Sequence, residues 1–79
     1  MLKLSTVARQ LAAAGLPVEW QQRTNTDGDP VDALRVSHDY SGMYPDRAAL
    51  RAADVAEAIA ARAGRQAWTP YACTATIIY

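Results

Sequence analysis

Leu4, Val7, Ala8 and Leu11 recur at i, i+3, i+4 and i+7. This spacing gathers apolar side chains on one face of an α-helix. It predicts a helix over about residues 4–14, with Ser5 or Thr6 as its cap, ended by Gly15 and Pro17. The period then changes. In VEWQQRT, residues 18–24, Val18, Trp20 and Gln22 alternate with Glu19, Gln21 and Arg23, as in a half-buried strand. The segment NTDGDP follows, and Asp27-Gly28 is a strong turn signal. A second strand, VDALRVSH over residues 31–38, places Asp32, Leu34, Val36 and His38 on one face and Arg35 and Ser37 on the other. The two strands read as a hairpin.

A second helix is predicted over about residues 47–63, with Gly64 just past its end and an apolar stripe of Ala52, Val55, Ala56, Ile59 and Ala63. Asp54-Val55-Ala56-Glu57 also fits a capping box. One continuous helix is favoured, because an alanine-rich segment rarely breaks without Gly or Pro. The closing YACTATIIY reads as a strand in which Cys73, Ala75 and Ile77 alternate with Thr74, Thr76 and Ile78.

The order α-β-β-α-β predicts an α+β fold: a three-stranded antiparallel/mixed sheet of order 2-1-3 with two helices on one face. The last strand is expected beside the first and parallel to the second. The 38–47 loop, the Gly15–Pro17 connection and Tyr79 are then expected at one end of the sheet. The hairpin tip and the segment RQAWTPY are expected at the other. The open sheet face would show Glu19, Gln21, Arg23, Arg35, Ser37, Thr74 and Thr76.

Composition narrows this picture. Seventy-nine residues make one domain, 1–79. Seventeen alanines and no phenylalanine mean a core of Leu, Val, Ile, Trp and Tyr, with helices packed closely through alanine. Eight basic residues balance eight acidic ones. A strongly electrostatic nucleic-acid binder needs a basic excess, and an acidic mimic of nucleic acid needs the reverse. Cys73 is the one cysteine, so there is no internal disulfide framework and a reducing cytoplasm fits. No apolar run is long enough to span a membrane, and Arg9-Gln10 interrupts the N-terminal segment where a signal peptide would stay apolar.

Most chemistry fails on the residue inventory. One His and one Cys on different elements do not supply the ligands of a zinc site. Neither phosphate-loop glycine pattern is present. His38, Asp39 and Ser41 are near neighbours and lack the nucleophile-elbow order. Asp39 and Ser41-Gly42 are better explained as a turn, and Asp46 as a helix cap. Cys73 reads as a buried thiol rather than a nucleophile. Asp27, Asp29 and Asp32 lack the closing Glu of a calcium loop and read as turn acids. The expectation is a protein that is not an enzyme and uses no metal or cofactor.

The aromatic residues carry more information. Tyr40, Met43 and Tyr44, with Arg47 beside them and Arg51 a helical turn later, are of the types enriched in interface hot spots. Trp68 and Tyr71 form a second such pair. Each cluster either plugs one open end of the small core or faces outward to grip a partner. The sequence of elements around TVARQLAAAGLPVEW and LRVSHDYSG, covering about residues 4–64, resembles small phage and mobile-element accessory domains. Among these are the helix-hairpin-helix domains of large polyvalent proteins. The chain's size and composition also resemble phage-encoded host-defence inhibitors, the anti-CRISPR proteins. That family is often acidic and this chain is neutral, which counts against a nucleic-acid-mimic mechanism.

The resemblance implies a cytoplasmic protein of the host bacterial cell that inhibits a defence complex, such as a CRISPR effector, by binding it. The residues expected to bind are Tyr40, Met43, Tyr44, Arg47 and Arg51. The alternative is a nucleic-acid-binding or regulatory module using Arg23 and Arg35 on the open sheet face. A homodimer pairing through the edge of the last strand or through that face is a third expectation.

Overall fold

Helix α1, Leu4–Ala13, opens the computed structural model, which describes residues 1–40, 42–70 and 74–79. Strand β1 spans Val18–Thr24, β2 Pro30–Ser37, α2 Arg47–Arg62, β3 Ala67–Trp68 and β4 Ala75–Ile78. The α+β class and the two helices agree with the sequence pattern. The sheet has four antiparallel-paired strands rather than three, in the order β1-β2-β4-β3.

Local chemistry accounts for most boundaries. Val7 and Leu11 are fully buried on the apolar stripe of α1. Gly15 takes φ 81°, and Leu16 N donates to Leu11 O at 3.1 Å, closing the helix with a left-handed residue. Neither Ser5 nor Thr6 caps α1. The helix begins earlier, after Lys3, with no side-chain cap. Its entry is held instead from outside, where Leu2 N donates to Ala63 O at 2.9 Å and Arg65 Nε donates to Leu2 O at 2.9 Å. The hairpin turn follows its sequence signal. Gly28 has φ 85°, and Asn25 Oδ1 accepts from the backbone N–H groups of Asp27 and Asp29.

Helix α2 is continuous and capped by Asp46, whose side chain accepts from Ala49 N at 2.8 Å. Its buried stripe is rotated from the predicted one. Ala49, Ala53, Ala56 and Ala60 are buried, while Ala52, Val55 and Ile59 are half-buried at the flank. Alanine has no side chain beyond Cβ, so this face comes closest to the sheet and the larger residues are displaced sideways. The core that results contains Val7, Leu11, Leu34, Val36, Ala56, Ala60, Ala63 and Ile78.

The strand order is the main correction. After α2 the chain does run parallel to β2, as a returning helix requires, but the strand that does so is the short β3. The chain then reverses, and β4 inserts antiparallel between β2 and β3, with Leu34 opposite Ile78 and Ser37 opposite Ala75. Strand β1 is therefore an edge rather than the centre, and the last strand is internal rather than an edge. The edge expected of the last strand is thus covered by β3 along Ile77 and Ile78. The reason lies in the residues. Ala75–Ile78 is buried on both faces, as a central strand must be, whereas β1 is largely exposed and tolerates an edge.

The insertion also changes which side chains face where. Cross-strand partners share a face, so Trp20, Leu34, Ile78 and Ala67 form one row toward the helices. Glu19, Arg35, Ile77 and Trp68 form a row on the open face. Thr76, expected on the open face, is fully buried beneath the helices, while Ala75 and Ile77 lie on the open side. Trp20 has the expected orientation but is 55% exposed, because the helices cover β2 and β4 better than the edge strand. Tyr79 lies at the hairpin end, since Gln66 and Tyr79 exchange backbone hydrogen bonds at 3.0 Å. The 38–47 loop and the Pro17 connection share the opposite end, where Ser37 N donates to Pro17 O.

The alanine seam yields a stability prediction. Ala60→Leu adds three carbons to a fully buried contact and should cost about 1–3 kcal/mol. For a domain of this size that lowers Tm by about 4–8 °C per kcal/mol. Thermal melts followed by circular dichroism measure it, and an unchanged Tm would show that α2 is free to back away from the sheet.

Candidate functional site

The stretch from His38 to Arg47 leaves β2 and enters α2, and its side chains divide by orientation. His38 is turned into the fold, with 3% of its surface exposed. Its Nε2 lies 2.7 Å from Thr76 Oγ1; Thr76 Oγ1 lies 2.7 Å from Thr69 Oγ1; Thr69 Oγ1 donates to Glu57 Oε1 at 3.3 Å. The carboxylate at the end of this string can only accept. That sets the direction of every bond: Thr69 donates to Glu57, Thr76 to Thr69, and His38 Nε2–H to Thr76. His38 Nε2 thus carries a proton, and its Nδ1 is buried with no partner among the described residues.

Burial lowers the pKa of His38 below its ordinary value of 6.5, and Arg35 adds to the lowering, while Glu57 and Asp39 oppose it. Asp39 is exposed and Ser41 lies outside the described residues. His38 therefore ties β2, β4, the β3–β4 connection and α2 together. Tyr40 is half-buried beside it, in a shallow hollow of about 370 Å³ lined by Arg35, Ser37, His38, Asp39, Tyr40 and Thr74.

The rest of the stretch faces water. Met43 is 85% and Tyr44 is 77% exposed. Arg47 and Arg51 are exposed on the first turns of α2. Leu50 lies between them in the chain and is 49% exposed. The expected cluster thus divides: Tyr40 is half-buried in the hollow beside His38, and Met43, Tyr44, Arg47 and Arg51 are exposed on the surface. Leu50 was missed. Its signal was an apolar residue three positions after Arg47 and outside the alanine stripe.

Of the second aromatic pair, only Trp68 can be placed, since Tyr71 and Cys73 lie outside the described residues. Trp68 is 50% exposed on the open sheet face, and Tyr79 lines the same groove. They border an open groove of about 480 Å³ that reaches Arg23 and Val31. Arg23 and Arg35, expected to act together, differ in environment. Arg35 is paired with Glu19 at 3.3 Å and donates to Ser37 Oγ. Arg23 donates only to the neutral Gln21 Oε1, at 3.2 Å. Among the described residues, no three His, Cys, Asp or Glu side chains converge as a metal site would require, and no helix is long and apolar enough to cross a membrane.

The string from His38 to Glu57 carries two predictions. Because folding lowers the His38 pKa, the unfolded chain binds the extra proton first. Stability is then full above the unfolded value of about 6.5 and falls as pH drops below it. Urea titrations across that range should show the fall, and His38→Gln should flatten it. Thr76→Val removes the hydroxyl between His38 and Thr69. It should cost about 1–3 kcal/mol by stranding buried polar partners, and an unchanged unfolding midpoint would show that the string contributes nothing.

A scan against protein-family models, a search of curated proteins and a search of solved structures find no match to this chain, so the functional reading rests on its own residues.

Proposed function

We propose that this protein acts by binding another protein through Met43, Tyr44 and the exposed start of α2, and that it works as a non-enzymatic inhibitor. The observation that carries this reading is the exposure of Met43 and Tyr44, at 85% and 77%, as adjacent residues of one turn. The turn itself requires neither residue. Gly42 supplies a positive φ of 103° and Asp46 supplies the helix cap. Leaving Met and Tyr in water gains nothing for folding, whereas burying them against a partner recovers their apolar surface. Tyr adds a hydroxyl for a rim hydrogen bond, and Met adapts its shape to an irregular surface. Arg47 and Arg51 give the patch a basic border suited to carboxylates on the partner. The choice of a bacterial defence complex as target, a CRISPR effector among them, rests on the resemblance to phage inhibitors.

The test is capture of a purified CRISPR effector complex by the protein, compared with its Met43→Ala/Tyr44→Ala variant. The variant should keep the parent Tm within a few degrees, since both side chains are exposed. Its affinity should fall at least about thirtyfold, the equivalent of one hot spot of about 2 kcal/mol. Binding that survives in the folded variant removes this surface from the mechanism. Tyr40→Ala should instead lower Tm, because Tyr40 is half-buried.

A further inference from the structure

The groove on the open sheet face lies at the opposite end of the sheet from Met43 and Tyr44, and the reading above does not use it. Its long side is formed by Trp68 on β3 and by Tyr79, which follows β4; Arg23 and Val31 face them from the β1–β2 hairpin. Gln66 and Asn25 supply amide groups at its rim. We propose that this groove binds a segment of single-stranded nucleic acid, with a base stacked on Trp68 or Tyr79 and the adjoining phosphate held by Arg23.

Three observations carry the proposal. Trp68 and Tyr79 are 50% and 45% exposed, leaving ring surface available for stacking without unfolding the strands that hold them. Stacking on an aromatic side chain tolerates any base, since each has a π-face. Next, Arg23 has no carboxylate partner among the described residues, whereas the salt bridge of this sheet face occupies Arg35. The guanidinium of Arg23 is thus the cation in the groove that an incoming phosphate meets unneutralised. The amides of Asn25 and Gln66 add neutral hydrogen-bonding groups of the kind that base edges accept and donate to. Asn25 uses its carbonyl oxygen in the hairpin turn, so its NH₂ group is the one left for a ligand.

The same inventory selects a strand over other nucleic acids. A free nucleoside di- or triphosphate presents several charges to one Arg, and no glycine-rich phosphate loop is present to hold them. A strand brings one phosphate per base, matching one cation. The groove is open, so the chain can enter and leave. A duplex keeps its bases stacked on each other and out of reach of the rings. Asp27 and Asp29, exposed at the hairpin tip beside Asn25, oppose a polyanion and keep the affinity low.

The experiment uses a ten-nucleotide fluorescein-labelled oligothymidylate, with anisotropy read at about 50 mM salt and rising ionic strength. Binding should occur and weaken with salt, with a slope of about −0.7 for one phosphate contact. Trp68→Ala should weaken it about 5- to 150-fold, the range for losing one stacked base. Arg23→Gln, at an exposed site that folding does not require, should weaken it and remove most of the salt slope. Asp27→Asn/Asp29→Asn should strengthen it. In the Trp20→Phe protein Trp68 is the one remaining tryptophan, and its emission should be quenched by the oligonucleotide. No binding to the single strand overturns the proposal and leaves the groove to a protein ligand. Equal affinity for thymidine monophosphate or for duplex overturns the choice of a strand. Binding unchanged by Arg23→Gln and Tyr79→Ala overturns the site. Variants of Met43 and Tyr44 should leave oligonucleotide binding intact, which separates this test from that of the protein-binding surface.

Discussion

Helix α2 meets the sheet through alanine, and the remaining architecture is arranged around that contact. Ala49, Ala53, Ala56 and Ala60 are all at most 5% exposed. A helix packed through Cβ atoms alone sits close to its partner, and the few large residues of the core fill what is left: Leu11, Leu34, Ile78, Val7 and Val36. In a chain with no phenylalanine this is how a small core reaches interior packing density. The same closeness pushes Val55 and Ile59 to the flank and leaves Trp20 at the uncovered edge.

The insertion of β4 follows from the same economy of apolar residues. Ala75, Thr76, Ile77 and Ile78 form the strand best suited to burial on both faces, and the centre of a sheet is where both faces are covered. Placing Thr76 there buries its hydroxyl, which is satisfied by His38 and Thr69. A buried hydroxyl without such partners would cost about 1–3 kcal/mol. The polar string ending at Glu57 satisfies that hydroxyl, and it joins the end of β2 and β4 to α2. The lowered pKa of His38 comes from the same burial.

Strand order in turn separates two surfaces. The end where β2 gives way to α2 carries Met43 and Tyr44, and the hairpin end carries Trp68, Tyr79 and Arg23. Of the candidate site, Met43, Tyr44, Arg47 and Arg51 were legible because a turn and a helix start do not need those side chains. The partial burial of Tyr40 was not, since one residue of an irregular segment has no periodicity to show its direction. Arg23 and Arg35 share a face by alternation alone. Their different pairing depends on Glu19 standing opposite Arg35, which requires the register of β1 against β2.

Local physics is written in the sequence wherever one segment decides its own conformation. The helix α1 stripe, the Gly15 stop, the Asn25–Asp29 turn, the Asp46 cap and the unbroken α2 follow from spacing and side-chain chemistry within a few residues. Strand order did not follow, because the two-residue β3 is too short to show alternation and because β4 is chosen by competition for a doubly covered position. The phase of Thr76 against Ile77 had the same origin: TATII alternates too weakly to state its inward face. Only the assembled sheet decided it, through the hydrogen bonds that Thr76 makes and the helix that Ile78 meets.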